Sequence, residues 1–354
     1  MIRDVSLGLI AAIAAVALGH GQSGATSTRI VHLTFDWIDS TRPEPWTPDA
    51  TDHRRILIHT YQRVGALDPA PLALFSTGRD VTATAYTDFA EALARDGYVV
   101  AIVDHLGERS GQRLPDGTIV PNLLAGVEPD RKSPSYEELS SAFSRSWVEL
   151  RAADLTSTRV HLQTLATVGG NDFSGRLNGQ AVAVGHSLGG LTAAKACEQD
   201  SKFSACANLD GLSYSVPMHV EGDTMVATQP FLFLGKPIPR LSDETLKREH
   251  MTRAQDDEIV DRMAHRFDAL MQSARGGSYR VILRDATHMD FAGRGDGVIA
   301  KRVREYLLAF LDKHVRGVRG TVLDSMKSDP AVIVTRYVPR SNTASARQRN
   351  GVID

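Results

Sequence analysis

Cysteine is nearly missing from this sequence: Cys197 and Cys206 are the two in a chain of 354 residues. That scarcity excludes a fold stapled by many disulfides and a cluster of thiolate metal ligands. An excess of one charge is missing too. With 40 basic and 42 acidic residues the net charge is −2. Such a balance gathers neither nucleic acid nor an anionic membrane and suits a small neutral substrate. The sequence has no internal repeat, no low-complexity domain, no His-Glu-x-x-His and no nucleotide-binding glycine loop. We therefore expect neither a metal nor an organic cofactor, and no nucleic-acid partner.

Long apolar runs are confined to the start. Arg3 precedes an apolar stretch over 5–18, followed by a polar Gly-Gln-Ser-Gly segment. The stretch is short for a membrane span, and Ala15-Val16-Ala17 or Ala17-Leu18-Gly19 offers the small side chains that a signal-cleaving enzyme needs. Residues 1–19 read as a signal peptide, with an uncleaved anchor as the alternative and Asp4 an unusual residue in either. The body of the chain is then exported, periplasmic or secreted, with no stable membrane insertion after cleavage. In that oxidising setting Cys197 and Cys206, nine positions apart, are expected to bridge. Two buried free thiols are the other outcome, since spacing does not show that the Cβ atoms converge.

What is present is a globular composition, 42% hydrophobic and 23% charged, enough for a large buried core. Two β-rich segments, 29–38 and 55–62, flank a polar, Pro-containing stretch. Short apolar runs then alternate with helical patterns: 71–75 with 83–95, 98–103 with 136–165, 180–184 with 191–197. Runs at 205–209, 231–234 and 279–283 follow, and then a helix at 298–314. This rhythm predicts an α/β fold, a mostly parallel sheet of about eight strands with helices on both faces. One catalytic domain would span 29–316, with excursions at 106–135 and an insert at 241–274, and an extension over 317–354 would end in a solvated tail.

The chemistry concentrates at Gly185-His186-Ser187-Leu188-Gly189. A Gly-x-Ser-x-Gly alone is weak, but this one directly follows an apolar strand and directly precedes a helix. A sharp strand-to-helix turn strains the serine backbone, and Gly185 and Gly189 remove side chains that would collide across it. The Ser187 hydroxyl then stands at a helix amino terminus, where the backbone dipole favours negative charge. A serine needs a base. Of the twelve histidines, His288 fits, lying after the strand 279–283 and before the last helix. His250 and His265 fall in a polar helical segment, His314 lies far along the final helix, and His186 is too close to the nucleophile to fold back on it. The orienting carboxylate is Asp210, directly after its strand, or Asp243 in a Ser242-Asp243-Glu244 that reads as a helix cap. We choose Asp210 on position.

Several segments carry a resemblance: Asp39-Ser40-Thr41-Arg42-Pro43, Phe75-Ser76-Thr77-Gly78, Val103-Asp104-His105, Pro115-Asp116-Gly117, and above all 185–190 with Asn208-Leu209-Asp210-Gly211. Over 30–315 the chain resembles the bacterial relatives of plasma-type platelet-activating-factor acetylhydrolase, esterases and lipases of the α/β-hydrolase fold. The short interval from Ser187 to the acid is similar to that family's and supports Asp210. The resemblance implies an oxyanion hole formed by the backbone N–H groups of Leu188 and Arg79. It departs from the family at Thr77-Gly78, where His-Gly is usual, and at Thr60-Tyr61-Gln62, where Trp-Tyr-Pro is. The implied activity is carboxylic-ester hydrolysis through an acyl-enzyme on Ser187, with a small-molecule or lipid ester as substrate. An acyltransferase using the same triad and a non-catalytic binding protein on the same fold are the alternatives. A dienelactone-hydrolase reading is weakened by Ser where that family has Cys.

Overall fold

A computed structural model describes residues 29–338, apart from 50, 66–67, 131, 212–226 and 326–328. The expected signal peptide and the end of the tail lie outside the described residues. The strands are β1 (Ile30–Pro43), β2 (His53–Arg63), β3 (Ala70–Ser76), β4 (Val99–His105), a two-stranded hairpin of β5 (Gln112–Arg113) and β6 (Ile119–Val120), β7 (Leu177–His186), β8 (Ala205–Leu209), β9 (Phe231–Gly235), β10 (Ser278–Leu283) and β11 (Val332–Tyr337). The helices are α1 (Thr87–Arg95), α2 (Tyr136–Thr167), α3 (Leu188–Gln199), α4 (Asp243–Arg248), α5 (Arg253–Ser273), α6 (Val298–Val315) and the short α7 (Val322–Ser325).

All strands except the hairpin form one nine-stranded sheet in the order β1-β2-β4-β3-β7-β8-β9-β10-β11. From β4 to β10 every neighbour is parallel, while β1, β2 and β11 pair antiparallel at the two edges. The central strands are almost uniformly apolar because helices cover both faces. Successive side chains point to opposite faces. Ala73, Phe75, Val100, Ile102, Val182 and Val184 pack under α1 and α6, and Leu72, Leu74, Val99, Ala101, Val103 and Ala183 pack under α2, α3 and α5.

Two sequence expectations need correction. The sheet does not end before the helix at 298–314: β11 pairs with β10 over six residues, so the folded unit extends past 316 into the expected extension. As an edge strand it is half solvated, and Thr335 and Arg336 dilute its apolar signal. Segment 241–274 is not simply an insert lying over the fold. Its α5 buries Phe267, Leu270 and Met271 in the core, and so forms part of a covering layer. Among the described residues no helix is long and apolar enough to cross a membrane.

Because β3, β7, β8, β9 and β10 run parallel, their carboxyl ends share one edge of the sheet. The connections leaving that edge begin at Thr77, Ser187, Asp210, Lys236 and Arg284. Ligand sites of open α/β sheets form at this edge.

Candidate active site

Ser187 sits between the end of β7 and the start of α3 with φ 56° and ψ −124°, a conformation that costs a non-glycine residue about 1–3 kcal/mol. Close backbone packing enforces it. A Cβ on Gly185 would lie 1.9 Å from the Gly189 carbonyl oxygen, one on Gly189 2.0 Å from the Ser76 carbonyl oxygen, and one on Gly190 2.3 Å from Asn208 Oδ1. The Ser187 amide donates to the Leu209 carbonyl at 2.9 Å, which pins the turn to the end of β8.

The structure brings Ser187, His288 and Asp210 together. His288 Nε2 lies 2.9 Å from Ser187 Oγ, and His288 Nδ1 lies 2.6 Å from Asp210 Oδ2. A carboxylate only accepts, so Nδ1 carries the ring proton and the bare Nε2 faces the serine hydroxyl. That arrangement can take a proton from Ser187. Asp210 directly follows β8 in the left-handed region, φ 51°, which Asp tolerates better than most residues. Its Oδ1 accepts from the Lys236 amide at 3.2 Å, and a Cβ on Gly235 would come 3.0 Å from the same oxygen. His288 begins a short 3₁₀ turn whose preceding residue, Thr287, donates its amide and its hydroxyl to Asp290 Oδ2 at 2.7 and 2.8 Å. Asp243, the other candidate acid, is the first residue of α4; its side chain is 88% exposed and pairs with Arg253. It takes no part in this cluster.

The loop after β3 completes the surroundings. The Thr77 carbonyl accepts from Arg151 Nη1 at 2.6 Å. Arg151 also donates through Nε to Glu108 Oε1 at 2.7 Å, which takes a further bond from Trp147 Nε1 at 2.6 Å. Burial favours the neutral Glu108 carboxyl, but the Arg151 guanidinium outweighs burial and holds it below its ordinary value. Among the described residues, neither the Arg79 amide nor the Leu188 amide donates to an acceptor. The Leu188 amide belongs to the first turn of α3, whose N–H groups have no partner within the helix. The Arg79 side chain points elsewhere, to Glu128 at 2.7 Å and over the Trp147 ring.

Arg151, Glu108 and Trp147 escaped the sequence reading. The signal that would have revealed them is on α2: Trp147, Val148, Ala152 and Leu155 are buried, and Arg151 and Asp154 are equally buried among them. Charged residues on an apolar helical stripe require partners. Cys197 and Cys206 form a disulfide, with their Cα atoms 6.5 Å apart. Among the described residues no group of three or more His, Cys, Asp or Glu is placed to hold a metal ion.

No protein-family model matches the chain, and no curated protein matches it. Among solved structures it is similar to a ferulic acid esterase from Streptomyces cinnamoneus. The TM-score is 0.62, with 88% of this chain and 98% of that one covered at 20% sequence identity. At that identity the likeness concerns the fold.

Proposed function

The chain has the α/β-hydrolase fold, and on that fold we propose that it is an exported serine esterase, a carboxylic-ester hydrolase working through an acyl-enzyme on Ser187. The observation that carries this reading is the unbroken relay from Asp210 through His288 to Ser187 at 2.6 and 2.9 Å, set on a strained turn at a helix amino terminus. His288 takes the Ser187 proton as Oγ bonds to the ester carbonyl carbon, and the carbonyl oxygen becomes an oxyanion facing the Leu188 and Arg79 amides. His288 returns the proton to the departing alcohol. A water, deprotonated by His288, then attacks the acyl carbon; as the bond to Ser187 Oγ breaks, His288 returns the proton to Oγ and the acid is released. The step needs no metal or organic cofactor.

Within this class, the acetylhydrolase resemblance favours short acyl groups, and the structural likeness to a ferulic acid esterase adds aromatic acyl groups to those worth testing. The Cys197–Cys206 disulfide supports export, since such bridges persist in oxidising compartments. The test is a panel of aryl esters of increasing acyl length, with a feruloyl ester included, run on wild type and Ser187→Ala. We expect Ser187→Ala to lose about 10⁶-fold in kcat and to take no fluorophosphonate label. Full activity in Ser187→Ala would sink the mechanism.

A further inference from the structure

His186 immediately precedes the nucleophile, yet its ring is wholly buried and both its nitrogens are engaged away from Ser187. Nε2 lies 2.9 Å from the backbone carbonyl oxygen of His288. Nδ1 lies 3.0 Å from Tyr86 Oη, and the Gly78 amide reaches the same phenolic oxygen at 2.8 Å. The direction of every proton in this chain is forced. A carbonyl only accepts, so His186 Nε2 carries the hydrogen and Nδ1 is bare. An amide only donates, so Tyr86 Oη accepts from Gly78 and gives its own proton to Nδ1. Burial keeps both links neutral. Desolvation first, then the neighbouring His288, push the His186 imidazole down to about 4, and desolvation pushes the Tyr86 phenol up.

From this geometry we infer that His186 and Tyr86 are positioning residues for acyl transfer, tying the oxyanion loop to the main chain of the base through one hydrogen-bonded bridge. The inference rests on Ser187 being the nucleophile, as proposed above. Its physical content is a distance problem. The oxyanion donor follows β3 and the base follows β10, and β7, β8 and β9 separate those strands in the sheet. No ladder hydrogen bond joins the two ends directly. The transition state nevertheless needs a donor and a base on the same reacting carbon, and a misplacement of about 1 Å there can cost a hundredfold in rate. The bridge crosses the gap in two side chains. A Cβ on Gly78 would come 3.1 Å from Tyr86 Oη and 3.2 Å from His186 Nδ1, so the glycine lies flush against it. Holding the Gly78 amide inward also leaves the next amide, that of Arg79, as the loop's donor.

The experiment compares Tyr86→Phe, His186→Gln and His186→Leu in the full chain. It measures kcat and KM on an aryl acetate, and inhibition by an aryl trifluoromethyl ketone. That ketone adds Ser187 Oγ at its carbonyl carbon, passes the serine proton to His288 and leaves an oxyanion, so it reports on the same alignment. Tyr86→Phe keeps the ring in the core and loses only the hydroxyl. We expect it to lower kcat by about 10- to 100-fold with little change in KM, and to weaken the ketone in the same proportion. His186→Gln offers one acceptor and one donor in place of the two ring nitrogens and should retain more activity than His186→Leu. Wild-type kcat and ketone affinity in Tyr86→Phe would overturn the inference, as would a loss that vanishes once rates are corrected for the fluorophosphonate-reactive fraction. A wild-type protein that hydrolyses no ester would remove the functional proposal itself; an active wild type matched by its variants removes only this inference.

Discussion

Among the described residues, two serine–histidine–aspartate sets are hydrogen-bonded with nearly the same dimensions. In the first, Ser187 Oγ, His288 and Asp210 are linked at 2.9 and 2.6 Å. In the second, Ser76 Oγ lies 2.9 Å from His105 Nε2, and His105 Nδ1 lies 2.8 Å from Asp154 Oδ2. The second is sealed: Ser76 and Asp154 are 0% exposed and His105 is 1% exposed. Its carboxylate is also shared, with Arg54 Nη2 and Arg42 Nη2 each at 2.8 Å. Burial favours a neutral Asp154, but the Arg54 guanidinium and the His105 hydrogen bond hold its carboxyl far below the ordinary range. The same residue types at nearly the same distances thus build an internal brace in one place and, on the proposed function, a nucleophile in the other. The difference lies in the backbone at the serine and in what surrounds the acid. Ser76 continues a regular strand, whereas Ser187 is forced into a strained turn that lifts it onto a helix terminus.

The contrast is sharpest at the two acids. Asp210→Asn should cut kcat by about 10⁴-fold, because an amide cannot hold the His288 tautomer that leaves Nε2 bare. Asp243→Asn should keep the wild-type rate; equal rates for Asp210→Asn and wild type would refute the assignment. Asp154→Asn should instead act on folding. It leaves Arg54 buried without its main counter-charge, a loss of about 3–5 kcal/mol that urea unfolding would show.

Acid should weaken the sealed relay before it reaches the carboxylates. Burial, with Arg151 in second place, lowers the His105 pKa, and the buried His186 falls to about 4. For His186, between about 4 and the unfolded value of 6.5 the unfolded chain binds more protons than the folded one, and His105, lowered likewise, acts in the same direction. Stability is therefore complete above pH 6.5 and is lost as pH falls below it, by at most about 1.4 kcal/mol per pH unit for His186 down to its lowered value. A series of urea midpoints from pH 7.5 to about 4.5 measures the slope, and a flat series would sink the account. The smallest effect belongs to Ser76→Ala. Removing one partner of His105 should cost about 1–3 kcal/mol while Ser187 still takes up fluorophosphonate to the wild-type extent. Loss of labelling would mean that the two relays are not independent.

Much of this was legible in the sequence because strong local rules act there. Gly185, Ser187 and Gly189 announce a turn through sterics alone, Asp210 directly follows β8, and His288 lies in the turn after β10, where this architecture can use them. The apolar run 205–209 coincides with β8 end to end, because a strand buried on both faces is apolar almost throughout. What stayed hidden depends on distant pairing. Nothing near Tyr86 or His186 in sequence shows that one hydroxyl serves Gly78 and an imidazole at once, and Ser76 gives no sign of His105, 29 positions away. The edge strand β11 carries no such signal, because solvent tolerates polar residues on it.

The disulfide has a consequence for how the protein wears in use. Cys197 is near the end of α3 and Cys206 near the start of β8, whereas Ser187 and Asp210 lie at the opposite ends of those same elements. The bridge is thus a rivet at the foot of the lever whose tip carries Ser187 and Asp210. Under reducing conditions the tip keeps its groups while the foot is free to part, so reduction should lower the melting temperature and, if the proposed esterase activity holds, shorten its life at elevated temperature well before it slows a single turnover.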